Sequence, residues 1–275
     1  MTGRPLVMKF GGELLEDGAH LATVAAAIAA ISGSGAPLVI VHGGGREIDA
    51  ALRIAGIEKR QVDGLRITDE PTLDVVVSVL AGAVNTRFVA ALNAAGVGAV
   101  GLTGADGRCG LATAAPPHRA VDGRVVDLGR VGVPSEDADL RLLNTLVRDG
   151  FVPVVACIGM GPDGRLFNVN ADTLAGHLAA RLRARRLVIA GTTAGVLDAA
   201  GATLPRLEAG GIETLVASGT ATAGMIAKLR ACEHALAGGV DDVVIVDGRQ
   251  LSALAAAAIS GRPSAATKLV RMVTA

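Results

Sequence analysis

At 275 residues the chain is far above the size at which a hydrophobic core becomes hard to build, so its stability needs no disulfide or metal staple. Its 26 Lys and Arg balance 26 Asp and Glu, and zero formal charge removes the electrostatic case for nucleic acid or an anionic membrane surface as partner, which leaves small molecules. Although 51% of the residues are apolar, the runs near Leu21–Ile31 and Leu251–Ile259 are too short to span a bilayer. No basic segment leads into an apolar one at the N-terminus, and Cys109, Cys157 and Cys232 stand isolated, so a reducing cytoplasm is the expected setting.

Short runs rich in Val, Ile and Leu alternate with longer Ala-rich amphipathic segments, the pattern of parallel strands joined by crossover helices. This predicts an α/β fold, a three-layer α/β/α sandwich around a mainly parallel central sheet. Strands are expected at Leu6–Phe10, Leu38–Val41, Ala99–Leu102, Val152–Cys157, Leu187–Ala190 and Asp242–Val246. Helices are expected near Gly18–Ile31, Glu47–Ala55, Glu70–Asn93, Glu136–Asp149, Asp172–Leu182, Thr222–Ala237 and Leu251–Ile259, with Pro71 in a first turn, where its missing N–H costs little. Between Asp106 and Val133 the pattern changes, and Asp122-Gly123 and Asp163-Gly164 both signal hairpins. Nothing in the composition splits the chain, so a single domain over residues 1–275 is expected, one continuous sheet with two lobes.

Gly159-Met160-Gly161-Pro162-Asp163-Gly164 matches the dinucleotide pattern GxGxxG. However, Pro162-Asp163-Gly164 reads as a tight turn and Arg165–Val169 as a returning strand, where that motif needs a helix. Walker A, GxSxG and HExxH patterns are absent. His20, His42, His118, His177 and His234 are scattered without ligand spacing, and no protein-built metal cage is expected.

Lys9 closes an apolar run and precedes Gly11-Gly12, which puts an ammonium at the carboxyl end of a strand, where open α/β sheets bind ligands; a solvated lysine on an edge strand fits the same residues. The second strand ends in Gly43-Gly44-Gly45 followed by a helix, so backbone N–H groups and a positive helix end face the same region. Two such ends together point to a phosphate or carboxylate site. Asp172 opens a helix after Asn168 and Asn170, and on its own reads as a helix cap; Lys228 on its own reads as an exposed helical lysine.

Taken in order, "KFGGELL" at Lys9, "VIVHGGG" at Val39, "DGLRITD" at Asp63, "LAGAVN" at Leu80, "AVGLTGADG" at Ala99, "FNVNAD" at Phe167, "AGMIAKL" at Ala223 and "VIVDGR" at Val244 resemble the amino-acid kinase superfamily and, within it, the N-acetylglutamate kinases of arginine biosynthesis. The Asp63–Asp69 stretch favours acetylglutamate over carbamate, aspartate or nucleotide acceptors. The resemblance implies transfer of the γ-phosphoryl group of ATP to the side-chain carboxylate of N-acetyl-L-glutamate, with Mg2+ held mainly by phosphate oxygens and water. It implies Lys9 and Lys228 as transition-state stabilisers, with Asp172 between them keeping both charged. Gly43, Gly44, Gly45, Arg66, Asn168 and Asn170 would contact the acceptor, with Arg66 on its α-carboxylate. Gly11, Gly12, Gly191, Thr192, Gly195, Gly224 and Met225 would contact the nucleotide. The lobes would fall at about 1–182 for the acceptor and dimerisation, and about 183–275 for the nucleotide.

Two departures stand out. Gly191-Thr192 replaces the Thr/Ser-Asp common in the family, and Ala223-Gly224 replaces a glycine pair. Eight residues precede Lys9, against an extra N-terminal helix in arginine-inhibited hexameric relatives, so an arginine-insensitive homodimer is expected. The rival readings are a sister kinase acting on aminoadipate or glutamate carried by a small acidic protein, for which Arg46, Lys59, Arg60 and Arg66 would form a basic mouth, and a non-catalytic effector-binding homologue.

Overall fold

Leu6-Val7-Met8-Lys9-Phe10 forms β1 with every residue buried, as a strand covered on both faces must be. The structure is a computed structural model that describes residues 3–198, 200–208, 210–217, 223–260 and 265–271. After β1 come α1 (Gly18–Gly33), capped by Asp17 accepting from the Ala19 and His20 N–H groups, β2 (Leu38–His42) and α2 (Gly45–Ile54). The hairpin β3 (Gln61–Val62) and β4 (Leu65–Arg66) turns at Asp63-Gly64 with φ of 46° and 80°, the left-handed pair that a two-residue hairpin requires.

Next, α3 (Glu70–Val77) starts from an Asp69 cap with Pro71 in its first turn and runs through a π-helical segment, Ser78–Val84, into α4 (Asn85–Ala94). This continuous Glu70–Ala94 helix is long and apolar enough, by length and composition, to cross a membrane. It is a different run from Leu21–Ile31 and Leu251–Ile259, and Leu73, Val76, Leu80, Val84, Phe88 and Leu92 bury one side of it in the protein core.

Beyond it lie β5 (Ala99–Thr103), β6 (Ala112–Ala114), β7 (His118–Arg119), β8 (Val125–Val126), β9 (Val131–Pro134), α5 (Arg141–Arg148), β10 (Val152–Ala156), β11 (Ile158–Met160), β12 (Leu166–Val169) and α6 (Ala171–Arg181). The helix expected from Glu136 begins only at Arg141. Asp122-Gly123 and Asp163-Gly164 do turn the β7–β8 and β11–β12 hairpins, with Gly123 and Gly164 left-handed at φ 87° and 83°. The last third holds β13 (Arg186–Gly191), β14 (Arg206–Glu208), α7 (Gly211–Ala217), α8 (Ala223–Ala237), β15 (Asp242–Asp247), α9 (Leu251–Ile259) and β16 (Ala266–Val270).

The main sheet has the order β14-β16-β15-β13-β1-β2-β10-β5. All its pairs are parallel except β15 with β16. Strands β14 and β16 were not foreseen: they are short, and Ala266–Val270 carries Lys268 and Thr267, which blur the apolar run. On one face α1, α4 and α9 cover the sheet, and on the other α5, α6 and α8, giving the three layers. A second, four-stranded sheet, β11-β12-β9-β6, stands beside the carboxyl end of β10.

Candidate active site

The carboxyl ends of β1, β2 and β13 meet at the middle of the sheet. Lys9 is therefore on a central strand, in register with Val41 on one side and Ile189 on the other, and the edge-strand reading falls away. It is 7% exposed, and its Nζ lies 2.9 Å from Asp172 Oδ1. Asp172 is in the first turn of α6, but it does not cap the helix. Asn170 does, accepting from the Thr173 N–H at 3.0 Å, which leaves the Asp172 carboxylate free to turn toward the sheet. Lys228 of α8 donates to both of its oxygens at 3.2 Å.

Two ammonium groups thus share one buried carboxylate, and the cluster keeps a surplus positive charge. Burial opposes ionisation at all three groups. Asp172 outweighs it at Lys9 and raises that pKa, and the two lysines outweigh it at Asp172 and lower that one. Lys228 goes the other way: burial, and then the charge on Lys9, hold it below the ordinary lysine range against the pull of Asp172. Asp172 thus favours the charged form of both lysines, as the resemblance implies, but prevails over burial only at Lys9.

Beside the cluster is an open cavity of about 220 Å³, lined by Gly43, Gly44, Gly45, Ile48, Arg66, Asn168, Asn170 and Ala171, so every residue expected to contact the acceptor borders one space. The glycines serve different ends. A Cβ on Gly12 would lie 2.6 Å from Gly44 Cα, so Gly12 lets the loops after β1 and β2 pack together; one on Gly44 would lie 2.8 Å from Leu80 Cδ2, so Gly44 lets its loop pack on the Glu70–Ala94 helix; Gly45 has open space beside it. Arg66 is delivered by the β3–β4 hairpin. Its Nη2 donates to Asp49 and to the Gly45 carbonyl, whereas its Nη1 is buried with no hydrogen-bond partner among the described residues. An unpaired guanidinium N–H beside a cavity fits a carboxylate guest. Asn168 is held by its Nδ2 donating to Thr68 Oγ1 at 3.1 Å. Cys157 also lines the cavity, but burial pushes its thiol up to about 12, so it is neutral and not a nucleophile.

On the nucleotide side, Gly11 and Gly191 end β1 and β13 with the Glu13 carboxylate against both. The Thr192 carbonyl accepts from Arg249 Nη2 at 3.2 Å, and Arg249 also grips Asp247, which lies opposite Gly191 at the end of β15. Sequence reasoning missed this carboxylate because it noted only the one lost at position 192. Gly195 is required by packing, since a Cβ there would lie 2.5 Å from Thr267 Oγ1. Gly224 is open and Met225 is partly buried, and Thr222, where the helix was expected to begin, lies outside the described residues. Also missed were Asp49 and Thr68, which orient Arg66 and Asn168, and the Asp63-Gly64 turn signal. The residues of the candidate basic mouth have carboxylate neighbours: Arg46 faces Glu16, Lys59 and Arg66 pair with Asp49, and Arg60 pairs with Asp69.

A glycine-lined cleft at the strand ends of a parallel sheet, with a cationic cluster beside it, defines an anion-handling α/β protein. The family profile described as Amino acid kinase family matches residues 4–247, and the chain belongs to that family. It is 42% identical over 253 residues to the acetylglutamate kinase of Rhizorhabdus wittichii, covering 90% of this chain and 83% of that one. It is 41% identical to the acetylglutamate kinase of Acidiphilium cryptum, with coverage of 90% and 84%. Among solved structures, the N-acetylglutamate synthase of Neisseria gonorrhoeae complexed with coenzyme A and N-acetyl-glutamate superimposes with a TM-score of 0.84 at 28% identity; the match covers all of this chain and 61% of that longer one. A carbamate kinase from Giardia lamblia bound to AMP-PNP shares the fold, with a TM-score of 0.71 at 17% identity and coverage of 98% and 99%.

Proposed function

We propose that the chain catalyses ATP-dependent phosphorylation of the side-chain carboxylate of N-acetyl-L-glutamate to N-acetyl-L-glutamyl 5-phosphate, a step of arginine biosynthesis. The observation that carries the reading is the Lys9–Asp172–Lys228 cluster beside a cavity in which Arg66 holds an unpaired N–H. A carboxylate is already ionised at neutral pH, so no general base is needed. Its oxygen attacks the γ-phosphorus, the bond from that phosphorus to the ADP oxygen breaks, and catalysis reduces to aligning two anions and neutralising charge on the group in transit.

In this reading the Lys9 and Lys228 ammonium groups neutralise the transferring phosphoryl from opposite sides, and Asp172 fixes their spacing. Arg66, oriented by Asp49, takes the α-carboxylate, and Asn168 and Asn170 complete the acceptor pocket. The Gly11 and Gly43 N–H groups are taken by the Ala190 and Phe10 carbonyls, so of the two glycine runs it is the N–H groups of Gly12, Gly44 and Gly45 that would meet phosphoryl and carboxylate oxygens. Mg2+ would be held mainly by phosphate oxygens and water, and would supply further neutralisation of phosphate charge. Gly191, Thr192, Gly195, Gly224 and Met225 border the nucleotide in a C-terminal lobe of about residues 183–275, against an acceptor lobe of about 1–182. Arg46, Lys59, Arg60 and Arg66 share the carboxylates of Glu16, Asp49 and Asp69, which offsets most of the cationic surface that a carrier-protein acceptor would need.

The test is to supply Mg-ATP and hydroxylamine with N-acetyl-L-glutamate, free glutamate, aspartate, carbamate or buffer, and to follow hydroxamate and ADP together. Hydroxamate with acetylglutamate alone is expected. ATP binding without product from any free acceptor would replace this reading with a carrier-linked kinase, and no ATP binding would replace it with an effector-binding protein.

A further inference from the structure

Helices α6 and α8 approach closely because small residues line their contact: a Cβ on Gly176 would lie 2.5 Å from the Ala231 carbonyl oxygen, and one on Gly238 would collide with Ala180. Near backbones bring His177 of α6 face to face with His234 of α8, ring centroids 5.9 Å apart and planes within 15°. Glu136, between β9 and α5, closes the group with its Oε1 3.7 Å from His177 Nδ1. One ligating atom from each of the three lies within 4.8 Å of the others. Together with Val133, Pro134 and Thr173 they wall a cavity of about 220 Å³ that shares no lining residue with the acceptor cavity.

Two features make this more than a surface cluster. The His177 ring is 3% exposed and its Nε2 has no hydrogen-bond partner among the described residues, an orphaned buried acceptor or donor that an unliganded core position would not normally keep. The nearby cations are also already engaged: Arg230 is held by Glu213 and Glu233, and Arg181 bonds one oxygen of Glu136 at 3.1 Å, leaving the other toward the histidines. Two imidazoles and a carboxylate form the donor set of three-ligand zinc sites, with the fourth position left to water.

We propose that Glu136, His177 and His234 bind a divalent transition-metal ion of the zinc type, which ties α6 and α8 to the segment between β9 and α5. The ligands come from three elements far apart in sequence, which is why scattered histidines gave no ligand spacing. The site is independent of the kinase reading, and its test uses no turnover.

Full-length, tag-free protein stripped with EDTA is titrated with Zn2+ by calorimetry and with Co2+ by visible absorption. One equivalent per chain is expected, with a Zn2+-dependent rise in Tm, since an ion bound only by the folded state stabilises it. Glu136 and His234 are exposed, so Glu136→Gln and His234→Gln leave the core intact. Each is expected to weaken binding about tenfold or more and to abolish the rise in Tm, whereas His20→Gln and His118→Gln change neither. Absence of uptake by the unsubstituted protein overturns the proposal, as does uptake that persists unchanged in both Glu136→Gln and His234→Gln.

Discussion

Lys9 and Lys228 make different demands on the one carboxylate between them, and the consequences are measurable residue by residue. Replacing either by Ala is expected to lower kcat by roughly 10²–10³, the scale of losing one preorganised electrostatic donor, with the fold retained by circular dichroism; unchanged kcat would remove that lysine from the mechanism. Because burial and Lys9 lower the Lys228 pKa, the proton lost first on the alkaline side is that of Lys228. Activity needing both ammonium groups therefore falls as pH rises through that pKa. Bound phosphates favour the charged form, so the alkaline limb of kcat is expected at higher pH than that of kcat/KM; coincident limbs would contradict this. Arg66→Lys loses the planar fork and is expected to raise KM for acetylglutamate while leaving that for ATP nearly unchanged, and Asp49→Asn to do the same more weakly by loosening Arg66. A rise in the KM for ATP in either variant would place Arg66 elsewhere.

At the scale of elements, β2 is locked to the long Glu70–Ala94 helix through His42. Asn85 Nδ2 donates to His42 Nε2 at 3.0 Å and to the Val154 carbonyl at 2.9 Å, so the ring proton sits on Nδ1 and is given to the Gly43 carbonyl at 3.2 Å. This bond anchors the first residue of the glycine run. Burial lowers the His42 pKa from 6.5 to about 4. The unfolded chain therefore binds a proton between those values that the folded chain refuses, so stability falls on acidification through this window and is fully regained above it. The loss is on the order of 3 kcal/mol by pH 4. Denaturant titrations across the window are expected to show that slope, and His42→Gln to flatten it; an equal slope in the variant would sink the assignment. The same helix shows how far local pattern reaches: its length and inner face were legible from apolar spacing, but the π segment that aims Asn85 at His42 depends on contacts with β2 and β10.

For the whole molecule, the outer face of the Glu70–Ala94 helix carries the exposed small residues Ser78, Gly82, Ala83, Thr86 and Ala90, over which a second copy of the helix can pack closely. We expect a homodimer by sedimentation velocity, and a monomer of unchanged circular dichroism for Ala83→Arg. A monomeric parent protein would overturn the homodimer, and a dimeric Ala83→Arg variant would place its contact elsewhere.

The sequence by itself determined the central strands and their mainly parallel sheet, because a strand buried on both faces is written mostly in apolar residues, and β1, β2, β10, β13 and β15, Lys9 apart, carry polar side chains only at their ends. It also determined where the chain comes close to a ligand or to itself, because Gly11-Gly12 and Gly43-Gly44-Gly45 have no other use after such strands. Only the tertiary structure decided which charges meet. Asp172 became the partner of two lysines instead of a cap, because Asn170 took the cap. Arg66 found Asp49, and Asp247 came to lie opposite Gly191. His177 met His234 only because Gly176 lets α6 and α8 touch. Apolar periodicity is a property of neighbouring residues and survives in one dimension. Pairing between side chains on separate elements depends on where helices cross and how closely, which the folded chain alone fixes.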